Sequence, residues 1–271
     1  MKRVRLVCMA VAAVAALAAP AEAQTRSSPS IFISIFGGLA VSGDLWSVFR
    51  QPLPVLGQPS LFDTLSLERR VTPGLAAGVT VTYFPSPHLG LSFEGTYLGL
   101  GVDDDCATLF IHDLFPGTGN ATEQVCNDID ATGHSATTAA FYAGPTLRIA
   151  PTSLVRPYVR LNVGLSVRAS NLIEVSGRFP TTGGIADRPV IQDEGDTFVN
   201  PSLLGAVGVA VPISPGYQFR MEFRDHVLRM HRVTGPADAF GNAPTEGFFR
   251  NTFAFVLALD IILEQQRGRR Y

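Results

Sequence analysis

The segment Leu154–Arg168, LVRPYVRLNVGLSVR, admits few folds. Val155, Pro157, Val159, Leu161, Val163, Leu165 and Val167 fall on one parity, and Arg156, Tyr158, Arg160, Asn162, Gly164, Ser166 and Arg168 on the other. Successive strand side chains point to opposite faces, so the segment is a strand between an oily and a wet environment. A helix would scatter its arginines around the axis. A strand of about 15 residues is long for a globular sheet, where about 5–6 is common. A tilted strand crossing a bilayer needs about 9–11 residues within the lipid, so this length accommodates a crossing and its rims.

Seven further segments alternate in the same way: Ile31–Ser42, Val71–Phe84, Leu89–Gly101, Ala136–Ile149, Thr197–Val211, Tyr217–Leu228 and Phe248–Leu263. Short turns join the second to the third (Pro85–His88), the fourth to the fifth (Ala150–Ser153) and the sixth to the seventh (Pro212–Gly216). Long polar stretches fill the other connections: Gly43–Arg70, Val102–Ser135, Ala169–Asp196 and Arg229–Gly247. Pro52, Pro54, Gly57 and Pro59 predict an irregular first stretch. The rhythm puts every long loop at one end and every short turn, with both termini, at the other. It predicts an all-β fold: a closed eight-stranded antiparallel up-and-down transmembrane barrel with four long external loops and three short periplasmic turns.

Residues 1–23 read as a secretory signal peptide: basic Lys2, Arg3 and Arg5, an apolar run Leu6–Ala19, and the small-x-small site Ala21-Glu22-Ala23. Residues 24–271 form the barrel domain. Charged residues make up only 16% of the chain, and Lys2 is its only lysine. A soluble β protein protects its exterior with lysine and glutamate. The near-neutral balance, −2, offers no nucleic-acid surface. Cys106 and Cys126 lie in one polar stretch of an exported chain and predict a disulfide. Closing a loop of about 20 residues restricts the unfolded chain by roughly 3 kcal/mol.

Alternation alone does not say which face meets lipid, because a lipocalin-like barrel alternates with its oily face inside. The polar face is mostly Gly, Ala, Ser and Thr, with a few large members: Glu94, Tyr142, Arg148, Arg156, Tyr158, Arg160, Arg220, Glu222 and Arg224. A solvated exterior has no need of such small residues, whereas a narrow lumen needs them opposite each long side chain. These nine residues are therefore expected in the lumen. Glu94 and Glu222 are expected to pair with arginines, because unpaired buried charge costs several kcal/mol. Arg156 and Arg168 lie near strand ends, where reaching water at a rim is the alternative. Pro145, Pro157 and Pro201 sit within strands and are expected near rims.

Ala143-Gly144-Pro145, Arg156-Pro157-Tyr158-Val159 and Phe219-Arg220-Met221-Glu222-Phe223-Arg224, set on this architecture, resemble the small eight-stranded outer-membrane barrels of Gram-negative bacteria: the OmpX-like proteins, the OmpA membrane domain and OmpW. The resemblance spans about Ile31 to Leu263. It implies an outer-membrane location, with membrane lipid, lipopolysaccharide and the barrel assembly machinery as partners. The expected function is a structural scaffold for exposed loops, with a side-chain-filled lumen and an external partner that the sequence does not name. The alternative is a narrow porin-like conduit for small hydrophobic compounds, for which inward Phe32, Phe36, Leu98, Leu100, Phe198 and Leu204 would argue. A lipid-modifying enzyme and a soluble lipocalin-like binder are further readings.

No catalytic residues, metal ligands or cofactors are assigned. His226 and His231, flanked by Asp225, are the available bases, but no serine stands at a matching spacing and there is no Gly-x-Ser-x-Gly elbow. Asp103–Asp105, His112, Asp113, Asp128, Asp130 and His134 make an acidic loop. Its Asp128-x-Asp130-x-Thr132-Gly133 lacks the terminal glutamate of a calcium loop, Ala139 standing there instead.

Overall fold

The computed structural model describes residues 29–112, 120–168, 173–181, 183–192, 199–214 and 216–264. The expected signal segment, Asp113, Phe198 and Tyr271 lie outside them. Among the described residues twelve strands and one helix follow in order: β1 (Ser30–Val41), β2 (Asp44–Val55), β3 (Gln58–Phe84), β4 (Leu89–Phe110), α1 (Ala121–Ala131), β5 (His134–Ser135), β6 (Thr138–Arg148), β7 (Arg156–Arg168), β8 (Val175–Thr181), β9 (Gly184–Ile191), β10 (Val199–Ser214), β11 (Tyr217–Val233) and β12 (Thr245–Glu264).

Eight of these strands close a ring. Each of β1, β3, β4, β6, β7, β10, β11 and β12 pairs antiparallel with its neighbours in chain order, and β12 closes on β1 from Ser30↔Glu264 to Val41↔Phe253. The chain is thus an up-and-down barrel with the eight strands that the alternation predicts. The connections β3–β4, β6–β7 and β10–β11 are short, and the connections at the opposite end are long. Pro145, Pro157 and Pro201 hold register positions opposite Leu91, Val209 and Leu165. The β6–β7 ladder lapses at Gly144–Pro145, between Ala143↔Val163 and Thr146↔Arg160.

The long stretches are more ordered than their prolines and glycines predict. Gly43–Arg70 is not irregular: β2 and the first half of β3 form a hairpin, with register shifts near Asp44, Phe49 and Pro54. β2 pairs with β3 alone. An edge strand tolerates proline wherever the N–H side faces away from the ladder, so Pro52 and Pro54 are compatible with β2. Val102–Ser135 holds the continuation of β4 and then α1, which Asn120 caps by accepting from the Thr122 N–H at 2.9 Å. Asp128 and Asp130 therefore lie on a helix, not in a calcium loop. A disulfide joins Cys106 of β4 to Cys126 of α1. Ala169–Asp196 contains the β8–β9 hairpin, and β11 runs on to Val233.

Along the long strands the oily face changes sides. In the turn-proximal part of β3, Leu75, Val79, Val81 and Tyr83 point outward and are exposed. Towards the loop end the same strand turns Leu65, Leu67 and Val71 inward, all buried, and presents Ser66, Glu68 and Arg70 outside. On β4, exposed Leu89, Leu91, Phe93 and Tyr97 give way to buried Leu98, Leu100 and Val102, with Asp103 and Asp105 outside. On β11, outward Tyr217, Met221 and Phe223 give way to inward Leu228 and Met230. These inward residues continue into a core shared with Trp46 and Leu53 of β2, Val125 and Ile129 of α1, and Val175, Phe179 and Ile191 of β8–β9. The loop end is thus packed like a soluble protein, and the turn end is the reverse.

Candidate functional site

The turn-proximal half of the barrel interior holds a charged layer. β4 contributes Glu94, β7 contributes Tyr158 and Arg160, and β11 contributes Arg220, Glu222 and Arg224 at every second position, so all three β11 side chains point inward. The glycines opposite make room for them. A Cβ added at Gly208 would lie 2.5 Å from Tyr158 Oη, and one at Gly78 would lie 2.5 Å from Phe36 Cζ.

Arg160 and Arg224 alternate with Glu94 and Glu222 in a closed ring whose four side chains are wholly buried. Arg160 donates to Glu94 Oε2 at 2.6 Å and to both oxygens of Glu222 at 2.6 and 2.8 Å. Arg224 donates through Nη1 to Glu94 Oε1 at 2.9 Å and through Nε to Glu222 Oε2 at 2.6 Å. Thr96 and Thr80 donate to Glu94 at 2.6 and 3.0 Å, and Tyr158 donates to Glu222 at 2.6 Å. The Arg224 guanidinium lies 3.7 Å from the Phe36 ring centroid, so its far face is covered as well. Charge-assisted bonds of this geometry offset the desolvation of four ions, which singly would cost several kcal/mol each.

The remaining expected residues sit around this ring. Arg220 approaches Glu222 and Asp260, both at 3.3 Å. Tyr142 Oη is 3.1 Å from His226 Nδ1, further towards the loop end, and both are buried. Arg148 is half-buried at the turn-end mouth, its guanidinium 3.4 Å from the Phe84 centroid and 4.2 Å from that of Phe32. Arg156 stays at the rim, where its Nε donates to the Ser153 carbonyl at 3.3 Å. Arg168 does not reach water: it is buried and donates to the Arg229 carbonyl at 3.1 Å.

Asp260, Gln218, Thr80, Thr96, Phe36 and His226 join the layer without having been read as part of its polar network. Asp260 had a signal: it interrupts the apolar run Phe253–Leu263 on the inward parity of β12. Three acids of the acidic stretch, Asp104, Asp105 and Asp128, are ion-paired. Arg69 donates to both Asp104 oxygens at 2.5 and 2.6 Å in a buried pair, Arg70 pairs with Asp105, and Arg178 pairs with Asp128. Among the described residues no group of three side chains could hold a metal ion.

No family model and no curated protein sequence matches the chain. Solved structures do. The outer membrane protein OprG from Pseudomonas aeruginosa aligns at 12% identity and a TM-score of 0.46, over 88% of this chain and 98% of that one. Neisserial surface protein A aligns at 11% identity and 0.40, over 87% and 97%. AlkL in lipid bilayers aligns at 12% identity and 0.40, over 92% and 97%.

Proposed function

We propose that this chain is an integral outer-membrane barrel whose charged lumen is a structural filling and whose loop end is a folded external cap. The observation that carries this reading is the change of sides by the oily face. Ile35, Leu75, Phe141 and Val163, on four different strands, are each 63–64% exposed, and each of their strands has a partner on both sides. A contiguous apolar girdle around a closed barrel far exceeds the few hundred Å² that a soluble monomer exposes. From Tyr83 to Leu75 the girdle spans eight residue steps on β3, roughly 20 Å of height at a tilt near 40°, close to the apolar band of about 25 Å on outer-membrane barrels. A lipocalin-like barrel would bury these residues.

The conduit reading fares less well. The Arg160–Glu94–Arg224–Glu222 ring spans the lumen, and Phe36, Leu98, Leu100 and Leu204 are buried around and beyond it. Nor does the geometry favour catalysis at Asp225–His226. His226 points inward and is closed off, whereas Asp225 accepts from Asn251 at 2.6 Å on the outer surface. Lipopolysaccharide and outer-leaflet lipid are the partners this reading supplies, with Arg70 of β3 and Arg229 of β11 lying outside just beyond the girdle. Purified protein in planar bilayers should show no stepwise conductance; sustained steps would overturn the filled lumen. Flotation with lipid vesicles should carry the protein upward; recovery in the soluble fraction would overturn the embedding.

A further inference from the structure

At the turn-end mouth of the lumen lies a cavity of about 20 Å³, lined by Ser34, Thr146, Arg148, Gln218, Arg220 and Asp260 among others. A water needs about 10–15 Å³ by this measure, so the space suits one or two waters or an ion of halide size. Four buried polar atoms on its lining have neither a hydrogen-bond nor an ion-pair partner, Ser34 Oγ, Thr146 Oγ1, Gln218 Oε1 and Arg220 Nη2, while Arg220 Nε and Asp260 Oδ1 face each other at 3.3 Å without a hydrogen bond. Buried polar groups are rarely left unpaired, and so many on one cavity point to an occupant.

The charges say what kind. Among the described residues Arg148, Arg160, Arg220 and Arg224 share this half of the lumen with three carboxylates, Glu94, Glu222 and Asp260. Both oxygens of Glu222 are already taken by Arg160, Arg224 and Tyr158 at 2.6–2.8 Å, which leaves Arg220 at a looser 3.3 Å. Asp260 is held by Gln218 Nε2 at 2.5 Å. Arg148 has no carboxylate within 4.0 Å among the described residues. Its guanidinium is pinned against the Phe32 and Phe84 rings, a placement that covers its face and leaves the N–H edge for another partner. We propose that this cavity is a binding site for a small monovalent anion, held between Arg148 and Arg220 with the Ser34 and Thr146 hydroxyls as further donors.

Bromide is the probe. The refolded barrel in lipid nanodiscs is titrated with bromide by ⁸¹Br line broadening, at constant ionic strength set with a bulky sulfonate. Wild type should broaden the line saturably. Arg148→Met, which keeps an apolar chain on the two rings, should reduce the excess width about fivefold or more. Asp260→Asn, which removes the one facing carboxylate, should enhance it. Heat-modifiable gel mobility establishes that each variant is folded. Crystals soaked in bromide should show anomalous density in the cavity of wild type and none in Arg148→Met. Cavity density that is water alone, equal broadening by wild type and Arg148→Met, or saturable ²³Na broadening that Asp260→Asn abolishes would each overturn the proposal. None of these outcomes bears on whether the barrel spans a membrane, which the flotation assay decides separately.

Discussion

Glu222→Gln is the sharpest perturbation of the lumen. Glu222 accepts four hydrogen bonds, two from Arg160, one from Arg224 and one from Tyr158, at 2.6–2.8 Å and in full burial. Glutamine keeps the shape but has one acceptor oxygen, and it turns an NH₂ group towards guanidinium donors. It also removes one of the two negative charges of the ring. Breaking one partner of a buried ion pair costs about 3–5 kcal/mol, because the other charge stays buried and uncompensated. The unfolding equilibrium should shift by roughly two to four orders of magnitude, at about 1.4 kcal/mol per factor of ten. The assay is urea unfolding in lipid vesicles followed by heat-modifiable gel mobility, which reads the barrel as a whole. Arg160→Met and the double variant complete a cycle. If the ring acts as a unit, the double variant loses less than the two single losses added together, by about 2 kcal/mol or more. A Glu222→Gln loss below about 1 kcal/mol, or strictly additive singles, would refute the paired lumen as a stabilising element.

Other outcomes follow from the same geometry. Val163→Arg, in the girdle on β7, should cost about 2–4 kcal/mol of stability in lipid vesicles, whereas Phe240→Arg, on the exposed external loop, should change it by less than about 0.5 kcal/mol. Cys106→Ser should leave barrel gel mobility intact but destabilise α1 by roughly 3 kcal/mol, seen as faster proteolysis between β4 and β6. The Asp238 carboxylate accepts from the Asn242 backbone N–H, the Asn242 side chain and the Phe240 N–H, which hold its pKa below the usual carboxylate range. A depressed folded pKa contributes stability above the unfolded value that is lost as pH falls through the folded one. Amide exchange of residues 238–242 should therefore accelerate as pH drops below the usual carboxylate range, after correction for intrinsic rates, and Asp238→Asn should flatten that response.

The barrel was legible because every lipid-facing strand must alternate, and period-two alternation survives in a single sequence. Arg160 and Glu222 could be placed inside by parity together with the small residues that share their face. Their partners across the lumen could not, because strand tilt and stagger decide which inward residues meet, and neither is written in any one strand. The external elements were missed for different reasons. Pro52 and Pro54 look like breakers until β2 is known to be an edge strand with one partner. The helix did carry a signal: Thr122, Val125, Cys126 and Ile129, its buried residues, recur at helical spacing behind the Asn120 cap. The change of sides is not legible in the alternation of β3, whose oily residues keep one parity from Leu65 to Tyr83 and are turned over by the register shift between Thr72 and Leu75.

That change of sides also sets how deep the molecule sits. Pushing the barrel down by one pair of residues would drag Arg70, Glu68 and Asp105 towards the acyl chains, and intramembrane charge is expensive. Lifting it by the same step would strand Leu75 and Tyr97 in water. A single pleat repeat is only about 7 Å along the strand. The waterline is therefore inscribed in the chain itself, and a bilayer thinner than the girdle must adapt to the protein rather than the reverse.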